Sequence, residues 1–237
     1  YYEGRQVVPQ AEVLAIADRA LAAADDKINE ELGPSLETPF DLAGNPESAL
    51  GNLFTDAVLA VTDGDISIHN VSGGIRDTLP AGPLTFGSVY GVFPFDNRIV
   101  ILDLSGSELR QVIATQAHKR RRAGFSGMRV FVICEADVLD VQIQLNNGRF
   151  IADDDTIAVV VNDFLVLGGD DILTPIIPAG GIKFGEDQAL TRDALVEWFR
   201  QQDGLLRADQ YLSTDAPRWN LPDALPESCT LPNPDNN

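Results

Sequence analysis

Apolar residues recur along this chain at two spacings, one typical of helices and one typical of strands. Residues 9–32 carry apolar side chains at intervals of three and four, and Gly33 and Pro34 follow as a stop. We therefore predict a helix there, which either packs on the main domain or connects it to another part of the protein. The apolar positions of this helix are Val13, Ile16, Ala20, Leu21, Ala24, Ile28 and Leu32.

A second helix is predicted after a loop that ends at Gly44. Asn45 suits the N-cap position, Pro46 suits the first helical position, and Gly64 ends the pattern. One apolar stripe follows this start, as expected of a helix that packs on a core. The stripe consists of Leu50, Leu53, Phe54, Ala57, Val58 and Val61.

Two further helices are predicted in the second half of the chain. Residues 105–108 resemble an N-terminal cap for a helix from Leu109 to about Arg121, and Thr191 can cap another. The basic run at residues 119–122 complements the dipole of the helix that it ends, although a small polyanion patch is the alternative. The inward faces are predicted to contain Leu109, Val112 and Ile113 in one helix and Ala194, Leu195, Trp198 and Phe199 in the other.

Short β-branched runs predict the strands. The run from Thr156 to Val161 is continuous and contains neither Gly nor Pro, so we expect it to be a central strand. Asn146-Asn147-Gly148 is a tight-turn sequence. The remaining predicted strands are 65–71, 98–104, 128–135 and 138–145.

The central strand leads into the first candidate for binding chemistry. Phe164 follows the strand, and a Gly-Gly pair separates it from Asp170. Glycines permit a tight turn, so we expect Phe164 and Asp170 to lie close together on one rim. An aromatic face beside a carboxylate suits a ligand with a flat ring and hydroxyl groups, such as a nucleoside. The alternative is that Phe164 is a core residue and Asp170 a turn former.

Two other loops carry candidate residues. Gly73 and Gly74 allow the backbone to approach a ligand, and Arg76 lies just beyond them. A guanidinium group there could donate two hydrogen bonds to a phosphate or to hydroxyl groups, although a solvated surface arginine is the commoner meaning. Pro94 fixes the backbone ahead of Phe95, which predicts a second rigidly held ring.

Composition narrows the class of protein. The 237 residues suffice for one large or two modest domains, and the net charge of −19 argues against non-specific binding to nucleic acid or to an anionic membrane. No apolar run approaches the ~20 residues of a membrane span. Because the chain opens with Tyr1 and lacks a signal-like stretch, we expect either a removed signal or a part of a longer chain. Cys134 and Cys229 could form a disulfide of an exported protein, but two cysteines do not establish one.

Catalytic motifs are missing from the sequence. Only two histidines occur; His69 is predicted to be a satisfied structural residue in a strand, and His118 lies beside the basic run. No GxSxG, HExxH, GxxxxGK[ST] or CxxC pattern is present. We therefore expect a binding site without a catalytic residue, and no cofactor or metal ion held by this chain.

Five motifs in order resemble the C-terminal domain of the 5′-nucleotidase family, which includes periplasmic UDP-sugar hydrolases and ecto-5′-nucleotidases. The resemblance spans roughly residues 8–202. The motifs are ESALGNLFTDA (Glu47 to Ala57), SGGIR (Ser72 to Arg76), PFDN (Pro94 to Asn97), LSGSEL (Leu104 to Leu109) and NDFLVLGGDD (Asn162 to Asp171).

The resemblance implies a domain organisation. Family members have an N-terminal metallophosphatase domain with two divalent metal ions and a catalytic Asp-His pair. Residues 1–34 would then be the connector helix from such a domain, and residues 35–202 the nucleotide-binding C-terminal domain. Residues 203–237 are rich in Pro, Asp and Asn and are predicted to form a wrapping or disordered tail.

The resemblance also implies a binding site. Phe95 and Phe164 would sandwich the base, Asp170 would accept hydrogen bonds from the ribose hydroxyls, and Arg76 would hold ribose and phosphate. The other expected substrate-binding residues are Asn70, Gly73, Gly74 and Asn97.

This chain departs from the family pattern in two places. Residues 41–46 lack the arginines that members often carry ahead of the GNL helix. Val71 stands where many members have Asn five residues before the motif arginine, and Asn70 lies one position earlier. Contact between Asn70 and a base would therefore require a bulge.

Together these features predict an α+β domain with a mixed β-sheet flanked by helices. We expect the substrate-binding part of a secreted, periplasmic or cell-surface phosphoesterase that hydrolyses nucleotides, with this chain alone inert. One alternative is a non-catalytic binding or adhesion module that kept the fold. The other is an enzyme acting on cyclic nucleotides, UDP-sugars or NAD.

Overall fold

The computed structural model describes residues 3–44, 46–119, 122–185 and 188–232. The helices are Ala11–Ile28 (α1), Ala49–Ala60 (α2), Val71–Gly74 (α3), Phe86–Val92 (α4), Gly106–Ala117 (α5), Asp163–Val166 (α6) and Thr191–Arg200 (α7). The strands are Glu31–Leu36 (β1), Ile66–His69 (β2), Gly82–Thr85 (β3), Ile99–Ser105 (β4), Gly124–Ser126 (β5), Met128–Glu135 (β6), Val138–Leu145 (β7), Thr156–Asn162 (β8), Leu205–Leu206 (β9) and Trp219–Asn220 (β10).

A four-stranded mixed sheet with the order β4-β8-β2-β5 lies at the centre of the fold. The predicted strand at residues 156–161 is an interior strand, antiparallel to β4 and parallel to β2. Its residues alternate between two cores: Val159 and Val161 face one, and Val160 faces the other. The predicted α+β class with a mixed sheet flanked by helices is therefore confirmed.

Two three-stranded sheets complete the layers, with the orders β3-β1-β9 and β10-β6-β7. The predicted strands at residues 128–135 and 138–145 are β6 and β7, and they pair in antiparallel register. Their connecting turn consists of Ala136 and Asp137, both with positive φ, which the sequence did not signal. The turn predicted at Asn146 to Gly148 closes the next bend, where Gly148 has φ 86°.

The start of α2 differs from the prediction. Ser48 is the N-cap, and its hydroxyl group accepts a hydrogen bond from the backbone N–H of Gly51 at 3.1 Å. Pro46 therefore precedes the helix instead of opening it, and Asn45, the predicted cap, lies outside the described residues. Ser48 is a favourable N-cap residue that the sequence analysis did not consider.

Helix α5 has the predicted cap. Ser105 and Glu108 form a reciprocal capping box, and the helix ends at Ala117, earlier than the predicted Arg121. Arg122 donates to the carbonyl oxygen of Ala117 at 2.9 Å, which is the expected role of a cation at a helix C-terminus. At α7 the prediction was one residue late, since Leu190 is the N-cap and Thr191 is the first helical residue.

The N-terminal helix is shorter than predicted and lies on the outside of the fold. Helix α1 ends at Ile28, and Leu32 belongs to strand β1, where it is buried. The apolar stripe has no buried member in the described residues; Ile16 and Leu21 are 61% and 62% exposed. Only its C-terminal end contacts the domain, where Lys27 lies over the ring of Phe86. Helical spacing of apolar residues thus predicted the helix correctly but not its packing.

The segment after α7 wraps along the domain as far as the structure describes it. Strand β9 joins β1, and β10 joins β6. Arg218 donates to Asp56 at 2.7 Å and to the carbonyl oxygen of Phe125 at 2.7 Å. Cys134 and Cys229 form a disulfide across 95 positions of sequence. Among the described residues, no helix is both long and apolar enough to cross a membrane.

Candidate functional site

The segment after β8 holds Phe164 and Asp170 in a compact turn. The predicted tight hairpin-like turn is instead one helical turn, α6, followed by a 3₁₀ turn at Gly169–Asp171. Gly168, Asp170 and Asp171 have φ values of 93°, 53° and 54°. Such left-handed backbone is costly for residues with side chains and concentrates at functional sites. Phe164 is 41% exposed, so its ring is a surface feature and not a core residue.

Gly169 lies directly beneath the ring of Phe164. A Cβ on Gly169 would overlap three atoms of that ring. The ring therefore rests on bare backbone, next to the residue that carries the carboxylate. The sequence prediction that Phe164 and Asp170 share one rim is consistent with this contact.

Asp170 is exposed but held by neighbours from two other segments. Its Oδ2 accepts a hydrogen bond from Asn70 Nδ2 at 2.7 Å, and its carbonyl oxygen accepts one from Lys119 Nζ at 2.8 Å. Asn70, which directly follows β2, therefore belongs to this site through its contact with Asp170. Gly73 lies against the same carboxylate, since a Cβ on Gly73 would be 2.5 Å from Asp170 Oδ2.

The Gly-Gly turn is helical instead of extended. Helix α3 begins at Val71, and the amide of Gly74 bonds to the carbonyl oxygen of Asn70 at 2.6 Å. The predicted strand to residue 71 therefore ends at His69. Arg76 follows this turn, is exposed, and donates to the carbonyl oxygen of Gly73 at 3.4 Å.

Phe95 is held by contacts of its backbone and by contacts of its ring. Arg192 donates to the carbonyl oxygen of Phe95 at 3.2 Å and to the carboxylate of Asp96 at 2.7 Å. The ring of Phe95 packs edge-on against Phe93 at 5.5 Å between centroids. The guanidinium carbon of Arg76 lies 5.8 Å from the centre of the Phe95 ring, a cation–π contact.

Asn97 joins the two aromatic segments. Its Nδ2 donates to the carboxylate of Asp163 at 2.9 Å, and the backbone N–H of Asp163 donates to the carbonyl oxygen of Arg98 at 2.9 Å. Asn97 therefore ties the Phe95 segment to the residue that precedes Phe164.

Six of the sequence-predicted residues form one circuit with Gly169 and Asp163, through contacts and through neighbouring positions in the sequence. Aromatic rings on two segments flank a carboxylate and a guanidinium group, and all four groups are at least partly accessible to solvent. Such a surface can stack a flat ring while a carboxylate accepts hydroxyl hydrogens. In order, the circuit consists of Phe95, Arg76, Gly73, Asp170, Gly169, Phe164, Asp163 and Asn97.

His69 lies beneath this surface. Its ring stacks on Phe54 at 4.2 Å between centroids, and its Nδ1 lies 3.2 Å from Asn162 Nδ2. Burial lowers the pKa of His69 to about 3, because an imidazolium would lose its hydration there. The prediction of a satisfied structural histidine is half right, since Nε2 has no hydrogen-bond partner in the part of the chain that the structure describes.

Charges of both signs lie around the two aromatic segments. Asp96, Asp163, Asp170 and Asp171 belong to these segments. Arg192 donates to the Phe95 backbone and to Asp96, Lys119 donates to the carbonyl oxygen of Asp170, and Arg76 lies over the Phe95 ring. A separate cavity of about 340 Å³ lies beside the N-terminus of α2, lined in part by Ser48 and Trp219, but neither Phe95 nor Phe164 lines it.

Sequence reasoning missed three residues that hold this site together. Arg192 lies far along the chain in α7, and no local signal connects it to Phe95. Asp163 carries no local signal of a role, and Asn162 is predicted only as part of the turn. Asn162 caps α6 by accepting from the backbone N–H of Leu165 at 3.0 Å, and the pattern of Asn after a strand could have revealed that cap.

Metal-ligating side chains do not converge here. Within residues 3–44, 46–119, 122–185 and 188–232, no three His, Cys, Asp or Glu side chains are arranged to hold a metal ion.

Comparison with known proteins points to one family. Residues 30–175 match the family described as "5'-nucleotidase, C-terminal domain". The chain is 28% identical over 170 residues to Endonuclease YhcR of Bacillus subtilis, covering 70% of this chain and 14% of that protein. It is 28% identical over 195 residues to Cell wall protein Lmo0130 of Listeria monocytogenes, covering 71% of this chain and 25% of that protein.

A solved structure shows the same fold. The 5'-nucleotidase precursor of Thermus thermophilus superimposes with a TM-score of 0.67 at 24% identity, covering 90% of this chain and 43% of that one. The present chain therefore spans less than half the length of each of these three proteins.

Proposed function

This chain belongs to the 5′-nucleotidase C-terminal domain family, and we propose that it binds the nucleoside part of a nucleotide for hydrolysis by a larger phosphoesterase. The observation that carries this proposal is the circuit of contacts around Phe95, Arg76, Asp170 and Phe164. Arg76 and Phe95 come from two separate stretches of sequence. Phe164 and Asp170 come from opposite ends of one turn. A packing requirement alone would not leave two such rings and a carboxylate at the surface.

Each group has a role in this proposal. The rings of Phe95 and Phe164 stack on the two faces of the base, and base stacking contributes about 1–3 kcal/mol per ring. The free oxygen of Asp170 accepts hydrogen bonds from the ribose hydroxyls while Asn70 occupies Oδ2. Arg76 moves from the face of Phe95 toward the phosphate. Gly73 and Gly74 let the backbone approach the ligand closely, because they have no side chains. Asn97 ties the segment of Phe95 to the segment of Phe164 through its hydrogen bond to Asp163.

The proposed organisation of the whole protein extends beyond this chain. Residues 1–34 connect to an N-terminal metallophosphatase domain, residues 35–202 bind the nucleotide, and residues 203–237 form the tail. The exposed stripe of α1 and the short coverage of the relatives support this division. Two divalent metal ions on the other domain would activate water for attack on phosphorus. The present chain alone is expected to be inert.

An exported location is part of the proposal. The Cys134–Cys229 disulfide favours an oxidising compartment, such as the periplasm or the cell surface. The similarity to a cell wall protein agrees with that location.

Calorimetric titration of adenosine, AMP and UDP-glucose into this chain tests the proposal. Phe164→Ala should weaken adenosine binding about 10- to 100-fold, because it removes one stacking ring. Phe150→Ala is the matched control, since Phe150 is also exposed (51%) and contacts Phe131. The titration must extend to millimolar concentrations of each ligand. Wild-type binding that Phe164→Ala leaves unchanged would refute the clamp.

A second candidate is a non-catalytic binding module that kept the fold. The absence of arginines at residues 41–46 favours it, because fewer cations are then available to bind a phosphate. In this case none of the three ligands would bind even at millimolar concentration. UDP-glucose preferred over AMP would instead favour the sugar-nucleotide alternative.

A further inference from the structure

His69 occupies the layer between the central sheet and the aromatic rings. It is 4% exposed at the end of β2, stacks on Phe54, and meets the edge of Phe93 at 5.6 Å between centroids. Phe93 in turn contacts Phe95. A polar ring in this position needs hydrogen-bond partners, because burying an unpaired polar group is costly.

The hydrogen bond from Asn162 fixes the tautomer of His69. Asn162 Oδ1 already accepts from the backbone N–H of Leu165, so the amide nitrogen of Asn162 is the group that faces the imidazole. A nitrogen that carries two hydrogens can only donate, so His69 Nδ1 accepts. The single proton of the neutral ring therefore lies on Nε2.

Asn70, the next residue, also has a buried polar atom that needs a hydrogen-bond partner. Its Nδ2 donates to the carboxylate of Asp170 at 2.7 Å, which leaves Oδ1 as an acceptor. Both Asn70 Oδ1 and His69 Nε2 are buried and have no partner among the described residues. A Cβ on Gly74 would lie 2.5 Å from His69 Nε2 and 2.7 Å from Asn70 Oδ1. A donor and an acceptor thus border the same point beside Gly74.

We propose that His69 is a positioning residue that links the helix carrying Phe164 to the carboxylate of Asp170. Three links of a polarised chain are present: the Leu165 N–H donates to Asn162 Oδ1, Asn162 Nδ2 donates to His69 Nδ1, and Asn70 Nδ2 donates to Asp170. The fourth link, from His69 Nε2–H to Asn70 Oδ1, is the inferred one, because neither atom has a partner among the described residues and both border the same point beside Gly74. This inference rests on the proposed function, since it gives Phe164 and Asp170 their fixed separation for a nucleoside.

Burial is consistent with this role. The lowered pKa of His69, about 3, keeps the ring neutral at physiological pH. An imidazolium would carry a proton on Nδ1 and could not accept from Asn162. Gly74 is the residue that permits the chain, because any side chain there would separate the donor from the acceptor.

Nuclear magnetic resonance of the ring nitrogens of His69 tests the chain without any ligand. The protein contains two histidines, so His118→Gln assigns the remaining signals to His69. We expect the tautomer with the proton on Nε2, with slow exchange of that proton. Asn70→Ala should shift and expose the Nε2–H signal, whereas Ser72→Ala, an exposed neighbour on the same turn, should not. A proton on Nδ1, or an Nε2–H signal that Asn70→Ala leaves unmoved, would overturn the proposal.

Adenosine titration separates positioning from simple packing. His69→Phe keeps an aromatic ring against Phe54 but removes both hydrogen bonds, so we expect about tenfold weaker binding. His69→Gln keeps a donor and an acceptor and should recover most of the affinity. If the ring served only as packing, the order would be reversed, with His69→Phe close to wild type and His69→Gln weakened.

The two experiments, nuclear magnetic resonance of the ring nitrogens and adenosine titration, distinguish failure of this inference from failure of the proposed function. A wild-type chain that binds no nucleoside would refute the function. The nitrogen signals would still decide whether the chain of hydrogen bonds from α6 to Asp170 exists.

Discussion

Asp170 Oδ2 lies 2.5 Å from the position that a Cβ atom on Gly73 would occupy, so the carboxylate fits only because residue 73 lacks a side chain. Ninety-seven positions of sequence separate the two residues, and the close approach therefore depends on the fold. Asn70 bonds the same oxygen, so the carboxylate cannot turn away freely.

Gly73→Ala should weaken adenosine binding about 10- to 100-fold, because the new methyl group displaces the carboxylate from its hydrogen-bonded position. The backbone of Gly73 is not left-handed, so alanine causes no strain of its own. Calorimetry with adenosine measures the loss. Gly180→Ala is the control, because Gly180 also lacks positive φ and faces open space. Equal affinities of the two variants would show that Asp170 does not need this position.

Gly169→Ala should act on the ring instead of the carboxylate. The added methyl group overlaps the ring of Phe164 and forces it to move. We expect a loss of about 1–3 kcal/mol in adenosine binding, comparable with that of Phe164→Ala. The double variant should bind no more weakly than Phe164→Ala alone. Additive losses would contradict the shared mechanism.

Arg76→Ala should distinguish the contribution of the phosphate to binding from that of the nucleoside. Because the guanidinium group is expected to bond phosphate, AMP should lose about tenfold in affinity while adenosine changes little. Parallel titrations of the two ligands give the ratio directly. An equal loss for both ligands would assign Arg76 to the ring stack, through its contact with Phe95.

Acid should destabilise the fold through His69. Its pKa is about 3 in the folded chain and near the ordinary value of 6.5 when unfolded, so the unfolded chain binds the proton first as pH falls. The free energy of unfolding should therefore drop by about 2 kcal/mol between pH 7 and pH 5. Phe54, Phe93 and Asn162 face the ring without charge, and the neighbouring Asn70 is also uncharged.

Urea unfolding at both pH values measures this drop, with His69→Gln as the comparison. The variant should lose most of the difference between pH 7 and pH 5. The carboxylates of Asp155 and Asp209, whose pKa is lowered by Arg149 or Arg207 and by backbone hydrogen bonds, act at lower pH and do not interfere. A wild-type chain that is equally stable at both pH values would indicate that His69 is protonated in the folded state.

Cys134→Ser should reduce the free energy of unfolding by about 2–4 kcal/mol, because the disulfide closes a loop of 95 positions. Reductant should lower the stability of the wild type to the same level and leave the variant unchanged. Urea unfolding with and without reductant measures both effects. A wild type that reductant does not affect would argue against the bond.

The local pattern of the sequence determined most of the elements and the candidate residues. Strands at residues 128–135, 138–145 and 156–161 follow from short β-branched runs, and α5 follows from its capping box. Phe95 follows Pro94 and Asp170 follows Gly169, while Arg76 and Phe164 lie two and four positions from a glycine, so each can be found near the end of an element. These signals act over a few residues, where backbone preference and side-chain periodicity dominate.

Only the tertiary structure decided which of these residues meet. Asn70 bonds Asp170 across 100 positions, and Arg192 holds Phe95 across 97. The pairing of β8 with β2 brings the segment of Asp170 beside Asn70, and the bridge between Arg98 and Leu190 brings Arg192 to Phe95. No local pattern encodes a register between distant segments. The apolar stripe of α1 correctly predicted a helix, but its side chains are exposed. Helical spacing does not encode whether another surface packs against the stripe.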